Sequence, residues 1–160
     1  YLTNEVDKLS RDGVRLSVIG RRDRLPDGLS AAIRRAEEIT AGGATLHLRI
    51  AIDYSARVAI LNAVALAAGM DDLTGKMFSR LVTGEPELRD VDLIIRTSGE
   101  KRLSDFLLWE SAYAELHFID RMWPEFTAED LAEALASFRR RERRFGGLRA
   151  LASEPVLNPQ

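Results

Sequence analysis

Residues 91–104 read VDLIIRTSGEKRLS, and they place a compact apolar segment directly before a basic, hydroxyl-rich turn. The run 91–95 is rich in β-branched residues, which is typical of a buried strand. In parallel α/β sheets, ligands bind beyond the carboxyl ends of the strands, where loops expose backbone amides and polar side chains. The sequence therefore predicts a binding site in the turn that follows Ile95.

The turn has the side chains that a diphosphate site needs. It holds two arginines, one lysine, three hydroxyls and one glycine between Arg96 and Ser104. Guanidinium groups match phosphate oxygens bidentately, hydroxyls add neutral donors, and Gly99 allows close backbone approach. The same residues would also suit a polar loop whose charges face water, and composition alone favours that simpler interpretation.

Helical and strand-like segments alternate through the rest of the chain. Upstream we predict a helix end at 1–9, a strand at 14–20, a helix from Pro26 to Gly42-Gly43, a strand at 45–52, a helix stopping at Gly69 and a short helix at 76–82. Downstream we predict an apolar block at 106–109, a short strand at 115–118 and a helix that opens at Thr127. This alternation implies an α/β fold, with a mainly parallel sheet flanked by helices.

Composition describes an ordinary single domain. The chain has 160 residues, 46% of them hydrophobic, and 23 Lys and Arg against 25 Asp and Glu give a formal charge of -2. No overall field favours nucleic acid, and Glu142 interrupts the arginine-rich run 139–144. Cysteine is absent, which fits a reducing compartment, so the cytoplasm is the expected location. We predict one domain at 1–147 and a tail at 148–160.

Residues 95–126 read IRTSGEKRLSDFLLWESAYAELHFIDRMWPEF, which resembles the C-terminal signature of the cis-prenyltransferase family. Bacterial members make undecaprenyl or decaprenyl diphosphate. The resemblance extends back through 54–57, the helix end AEEIT at 36–40, 18–20 and 13–15, and forward to 143–147. It implies condensation of isopentenyl diphosphate with an allylic prenyl diphosphate. It also implies a homodimer, in which Phe118, Met122 and Trp123 are candidate interface residues, and a product that can bring the protein to the membrane periphery.

Several residues match the family's functional positions. The resemblance implies that Arg96, Arg102 and Ser104 bind the diphosphate of isopentenyl diphosphate, with Leu103 contributing at most its backbone. Glu115 matches an acidic residue that family members offer to Mg²⁺, often across the dimer interface. Arg144 and Gly146 match an Arg-x-Gly motif that reaches into the partner's isopentenyl diphosphate site.

The family's N-terminal segment has no counterpart in these residues. That segment carries an Asp-Gly-Asn-Gly-Arg phosphate loop and the aspartate that holds Mg²⁺, so no catalytic residue is assigned. Because the chain begins at Tyr1, we expect it to start inside a longer gene product. We also expect that the purified chain alone does not elongate prenyl chains.

Two short stretches depart from the family pattern. Relatives usually carry Asn-Tyr-Gly-Gly-Arg where this chain has residues 53–57, DYSAR. The usual Ser-Asn-Phe-Leu-Leu-Trp-Gln appears at 104–110 as SDFLLWE. The added acids Asp53, Asp105 and Glu110 are expected to make the neighbourhood less attractive to a diphosphate.

The remaining candidate residues receive structural roles. Glu100 is expected to pair with Lys101 or Arg102, and Trp109 and Trp123 are expected to pack in the core or an interface. Neither His47 nor His117 is assigned a role. Three interpretations remain open: part of an active prenyltransferase, a noncatalytic dimer partner, and an unrelated phosphate-binding α/β module. Retention of the whole matched set favours the first.

Overall fold

A computed structural model describes residues 2–86 and 89–141. The helices and strands, in chain order, are α1 (Leu2–Arg11), β1 (Val14–Ile19), α2 (Asp27–Thr40), β2 (Leu46–Ala51), α3 (Ala56–Ala67), α4 (Gly75–Thr83), β3 (Leu93–Arg96), β4 (Glu115–Phe118) and α5 (Ala128–Arg140). The predicted helices and strands are all present. The third strand begins later than predicted and includes Arg96, and the apolar block at 106–109 forms turns.

The strands pair in parallel, which confirms the predicted α/β class. β1 pairs with β2 from Val14 opposite Leu46 to Ile19 opposite Ala51. β3 pairs with β4 from Leu93 opposite Glu115 to Arg96 opposite Phe118. Within the described residues these strands form two two-stranded sheets. The chain divides accordingly into two compact units, residues 1–89 with 103–110 and residues 90–102 with 111–160.

The first unit has its core between β1 and the helices α1 and α2. Val6 of α1, Leu16 of β1 and Ala36 of α2 are buried together, and Leu9 and Ile50 pack against them. This arrangement follows from the apolar stripe of each helix and from the alternation along β1. Burial of these side chains is the main favourable contribution to folding in this unit.

Side chains of α2 close the edge of β1 that β2 does not pair. The amide of Leu16 donates to Oγ1 of Thr40 at 3.1 Å, and the amide of Val18 donates to Oε1 of Glu37 at 2.8 Å. The two carboxylate oxygens of Glu37 also accept hydrogen bonds from the two terminal nitrogens of Arg22. An unpaired strand edge presents free backbone donors that can pair with another chain. Glu37 and Thr40, three residues apart on one helix face, remove two of them.

The second unit is built around β3, β4 and α5. Among the described residues of this unit, Ile94 of β3 and Ala134 of α5 are the buried apolar ones. Thr127 begins α5 as predicted, because its side chain accepts the amide of Asp130 while Asp130 accepts the amide of Thr127. This reciprocal capping satisfies donors at the start of the helix.

Among the described residues, no helix combines the length and the apolar character required to cross a membrane.

Candidate functional site

The basic turn, defined as residues 96–102, has a backbone that the segment after β4 holds in place. The amide of Ser98 donates to the carbonyl oxygen of Arg121 at 2.8 Å, and the amide of Gly99 donates to that of Ile119 at 3.0 Å. The amide of Ile119 in turn donates to the carbonyl oxygen of Arg96 at 2.8 Å. The turn therefore has a defined course at the carboxyl end of β3.

Gly99 is needed by the turn itself. Its φ is +67°, and a Cβ at this position would lie 3.3 Å from Oδ1 of Asp120. Its amide hydrogen is already donated to Ile119, so it is not available to a phosphate oxygen. The close approach that the glycine permits is to the Asp120 carboxylate, and the donors left in the turn are mainly side chains.

Arg102 forms an ion pair with Glu100 inside the basic turn, which confirms the pairing predicted for Glu100. The Arg102 side chain is nevertheless 66% exposed. A guanidinium carries five N–H donors, so one carboxylate leaves several of them free. Arg96, the last residue of β3, is half-buried. Both arginines belong to the second unit.

Leu103 and Ser104 belong to the first unit. The carbonyl oxygen of Leu103 accepts the amide of Phe106 at 3.2 Å, which forms a tight turn. Ser104 is exposed and has a φ of +51°. Whether these residues bind a diphosphate together with Arg96 and Arg102 stays a prediction.

Glu115 lies at the amino end of the β3–β4 pair. Glu115 stands opposite Leu93, whereas Arg96 stands opposite Phe118. Along the strand direction, Glu115 and Arg96 are therefore three residues, or about 10 Å, apart. The carboxylate of Glu115 accepts Nη1 of Arg141 at 2.6 Å. Within one copy, Glu115 is therefore not next to the start of the basic turn. The other two predicted residues, Arg144 and Gly146, lie outside the described residues.

The acids that depart from the family pattern have partners or are buried within the first unit. The carboxylate of Asp53 pairs with the guanidinium of Arg24, whose Nε donates to Oδ2 of Asp53 at 2.7 Å. Asp105 accepts the hydroxyl of Ser55 at 2.6 Å and the amide of Arg57 at 3.0 Å. Glu110 is only 4% exposed. Two of the three added charges are therefore compensated locally, and the third is shielded from solvent.

A cavity of about 480 Å³ lies in the first unit, where the ends of β1 and β2 meet α3 and α4. Arg49, Tyr54 and Glu110 line it, and each has one buried polar atom without a hydrogen-bond partner. Burial, reinforced by the charge of Glu110, raises the pKa of Tyr54 to about 12. None of the described residues predicted to bind substrate lines this cavity.

Arg49 was not among the residues predicted from the sequence to be functional. A signal was present, because Arg49 and His47 alternate along β2 with Leu46, Leu48 and Ile50. Alternation of this kind places two polar side chains on one face of the strand. Arg49 donates to the carbonyl oxygen of Thr83 at 2.9 Å, which connects β2 with the end of α4.

The two tryptophans have different surroundings. Trp109 packs edge-on against Phe78 with ring centroids 4.8 Å apart, and its Nε1 donates to Ser79 at 2.8 Å. This agrees with the packing role predicted for it. Trp123 stacks on Phe126 but remains 71% exposed, so the interface role predicted for it stays a prediction.

Comparisons with known proteins agree on one family. Residues 1–146 match the family model described as undecaprenyl diphosphate synthase. The chain is 73% identical over 156 residues to isoprenyl transferase 1 of Bradyrhizobium diazoefficiens, covering 98% of this chain and 63% of that protein. It is 43% identical to an isoprenyl transferase of Aquifex pyrophilus, covering 91% of this chain and 64% of that protein.

Solved structures show the same likeness. A probable undecaprenyl diphosphate synthase from Campylobacter jejuni superposes with a TM-score of 0.81 at 34% identity, covering 91% of this chain and 69% of that one. Lavandulyl diphosphate synthase from Lavandula x intermedia, solved with dimethylallyl diphosphate, superposes with a TM-score of 0.85 at 34% identity. This match covers 91% of this chain and 66% of that one. The described part of the chain therefore shares its fold with prenyl diphosphate synthases.

Proposed function

The chain belongs to the undecaprenyl diphosphate synthase family, and on that premise we propose that it carries the isopentenyl diphosphate site of a cis-prenyltransferase. The reaction joins isopentenyl diphosphate to an allylic prenyl diphosphate. A carbon–carbon bond forms, the allylic carbon–oxygen bond breaks to release diphosphate, and proton loss leaves a new cis double bond. The chain spans about 63% of the length of its 73% identical relative, so the proposal concerns the whole protein.

The basic turn is the observation that carries this proposal. Its backbone is fixed by the carbonyl groups of Ile119 and Arg121, while Arg102 extends into solvent. A fixed backbone reduces the freedom that cationic side chains lose when they bind an anion. A basic loop that only interacts with water has no need of such support.

Each proposed contact has a simple chemical role. Arg96 and Arg102 offer paired N–H donors to the diphosphate of isopentenyl diphosphate, and the Ser104 hydroxyl adds a neutral donor. Arg144 and Gly146 are proposed to contribute from a second copy of the chain. These groups hold the acceptor substrate and offset its charge, so catalysis rests on positioning and electrostatics.

Glu115 is proposed as one ligand of a magnesium ion. The described residues alone do not fit a metal site, because no group of three or more His, Asp or Glu side chains among them is placed to hold an ion. The Glu115 carboxylate is also paired with Arg141. Magnesium commonly combines one or two protein carboxylates with water and substrate phosphates. In such an arrangement Glu115 would supply one protein carboxylate.

A homodimer in the cytoplasm, with access to the membrane periphery, completes the proposal. Phe118, Met122 and Trp123 of the second unit are 36%, 57% and 71% exposed. These three large apolar side chains are exposed within the short stretch 118–123, and exposed apolar residues close together in sequence at the surface favour an interface. Light scattering on the complete gene product measures the oligomeric state, and a monomer at micromolar concentration would argue against a site shared between copies.

Titration calorimetry with isopentenyl diphosphate on the complete gene product tests the site. Arg102→Ala is expected to weaken binding by about 1.5–3 kcal/mol, the range for a hydrogen bond to a charged group. Lys101→Ala is the matched control, because it removes one positive charge from the same turn without removing an assigned contact. Equal losses in both variants would indicate a general charge effect, and no loss with Arg102→Ala would exclude the turn as the binding site.

A further inference from the structure

The amino end of α3 is capped by Asp105, which lies far downstream in the chain. The amide of Ala56 donates to the carbonyl oxygen of Asp105 at 3.0 Å, and the amide of Arg57 donates to its Oδ1 at 3.0 Å. The hydroxyl of Ser55 donates to its Oδ2 at 2.6 Å and accepts the amide of Val58 at 3.1 Å. The first three amides of the helix lack partners within it, and residue 105 satisfies two of them.

The Asp105 carboxylate also suits this position electrostatically. A helix amino terminus carries a partial positive charge that favours an anion. Nε of Arg57 lies 4.0 Å from Oδ1, which adds a full positive charge nearby. The hydrogen bond from Ser55 is the largest cause that lowers the pKa of Asp105 below its ordinary value; burial opposes this, and Arg57 reinforces it. The carboxylate is therefore charged at neutral pH and occupies the helix end itself.

The segment 103–107 adopts an unusual backbone course next to this contact. Ser104, Asp105 and Leu107 have φ values of +51°, +61° and +47°. Residues with a Cβ disfavour this region, and they keep it only where the surroundings hold them there. The Phe106 ring packs edge-on against Tyr54 at 5.8 Å, just before Ser55 and α3. The contacts of residues 105 and 106 thus hold the segment at the start of α3.

We propose that Asp105 is a positioning residue, which fixes Leu103 and Ser104 for diphosphate binding by attaching the segment 103–107 to the amino end of α3. This inference rests on the proposed function, since it assumes that Ser104 contacts the diphosphate. The Asp105 carboxylate thereby serves to hold the segment 103–107 against the start of α3. The same contact closes the α3 terminus to external anions, so the diphosphate binds at the segment's serine and not at the helix.

Two substitutions of Asp105 distinguish the effect of its hydrogen bonds on the position of the segment 103–107 from the effect of its negative charge. Asp105→Ala removes both side-chain hydrogen bonds. Asp105→Asn keeps an oxygen for the Arg57 amide and offers its NH₂ group to Ser55, whose oxygen can accept it. We expect Asp105→Ala to speed hydrogen exchange at the Arg57 amide. It should also weaken isopentenyl diphosphate binding about 3- to 10-fold, which is less than the loss of a whole contact to the diphosphate, because Ser104 is displaced and not removed. Asp105→Asn is expected to restore both measurements to within about twofold of the parent.

Ser104→Ala, measured in parallel by titration calorimetry on the complete gene product, distinguishes the two proposals. If Ser104→Ala weakens binding but Asp105→Ala does not, the positioning role is wrong and the proposed function stands. If neither Ser104→Ala nor Arg102→Ala changes binding, the diphosphate site is wrong and this inference is lost with it. Should Asp105→Ala fail to fold, Ser55→Ala removes one of the same hydrogen bonds. An unchanged Arg57 exchange rate and unchanged affinity in that variant would also overturn the inference.

Discussion

Replacing Thr40 by valine tests the contact that closes the outer edge of β1. Thr40 is 1% exposed; its Oγ1 accepts the amide of Leu16 at 3.1 Å and donates to the carbonyl oxygen of Ala36 at 2.7 Å. Valine has nearly the same shape but no acceptor. The amide of Leu16, a residue only 2% exposed, would then be left buried without a partner.

The expected magnitude follows from these contacts. A buried donor that loses its acceptor costs about 1–3 kcal/mol, with a midpoint of about 2. Burial of the added methyl group offsets about 0.8 kcal/mol. The free energy of unfolding should therefore fall by roughly 1 kcal/mol, which lowers Tm by about 2–4 °C in a chain of this size.

Urea denaturation and hydrogen exchange at the Leu16 amide measure the two parts of this prediction. Thr40→Ser is the matched control, because it keeps the hydroxyl and removes only the methyl group. Both variants are expected to lose stability, but only valine should expose the Leu16 amide to faster exchange. A valine variant with parental stability and a protected Leu16 amide would refute the reasoning.

Two further predictions concern Glu37 and Gly99. Burial alone would raise the pKa of Glu37, but hydrogen bonds from Arg22 and Val18 outweigh it and hold the pKa below its ordinary value. The Glu37 carboxylate therefore stabilises the fold above its unfolded pKa, and this stabilisation is lost as the pH falls through its folded pKa. In the Glu37→Gln variant, Tm should decline less steeply below about pH 4.5 than in the parent. Parallel plots of Tm against pH for the two proteins would contradict this. Gly99→Ala places a Cβ at a residue whose φ is +67°. We expect the free energy of unfolding, measured by thermal denaturation, to fall by about 1–2 kcal/mol. Gly28→Ala is the control and should not lose stability, because a Cβ there meets nothing within 4 Å.

The parts of the fold that depend on local signals were predictable from sequence. Thr127 marked the start of α5 because its capping partner Asp130 is only three residues away. The apolar run before Arg96 gave β3 for a similar reason, since period and residue type are read within a few positions. The position of the basic turn followed directly from that strand.

Contacts between distant residues were not predictable. Asp53 and Asp105 looked like charges that would repel a diphosphate, yet each binds a partner far away in sequence, Arg24 and Ser55 respectively. No local pattern reports such pairs, because only the folded chain brings them together. For the same reason Gly99 suggested an opening for a ligand, while in the structure it makes room for Asp120.

The hydrogen bonds from Ser98 and Gly99 to the segment after β4 join the basic turn to α5. Arg121, whose carbonyl accepts the Ser98 amide at 2.8 Å, also forms an ion pair with Asp130 at 3.1 Å. Asp130 is the residue that closes the capping box of α5. Because the segment after β4 contacts both the basic turn and the start of α5, we expect a displacement of the turn to disturb the first turn of that helix as well.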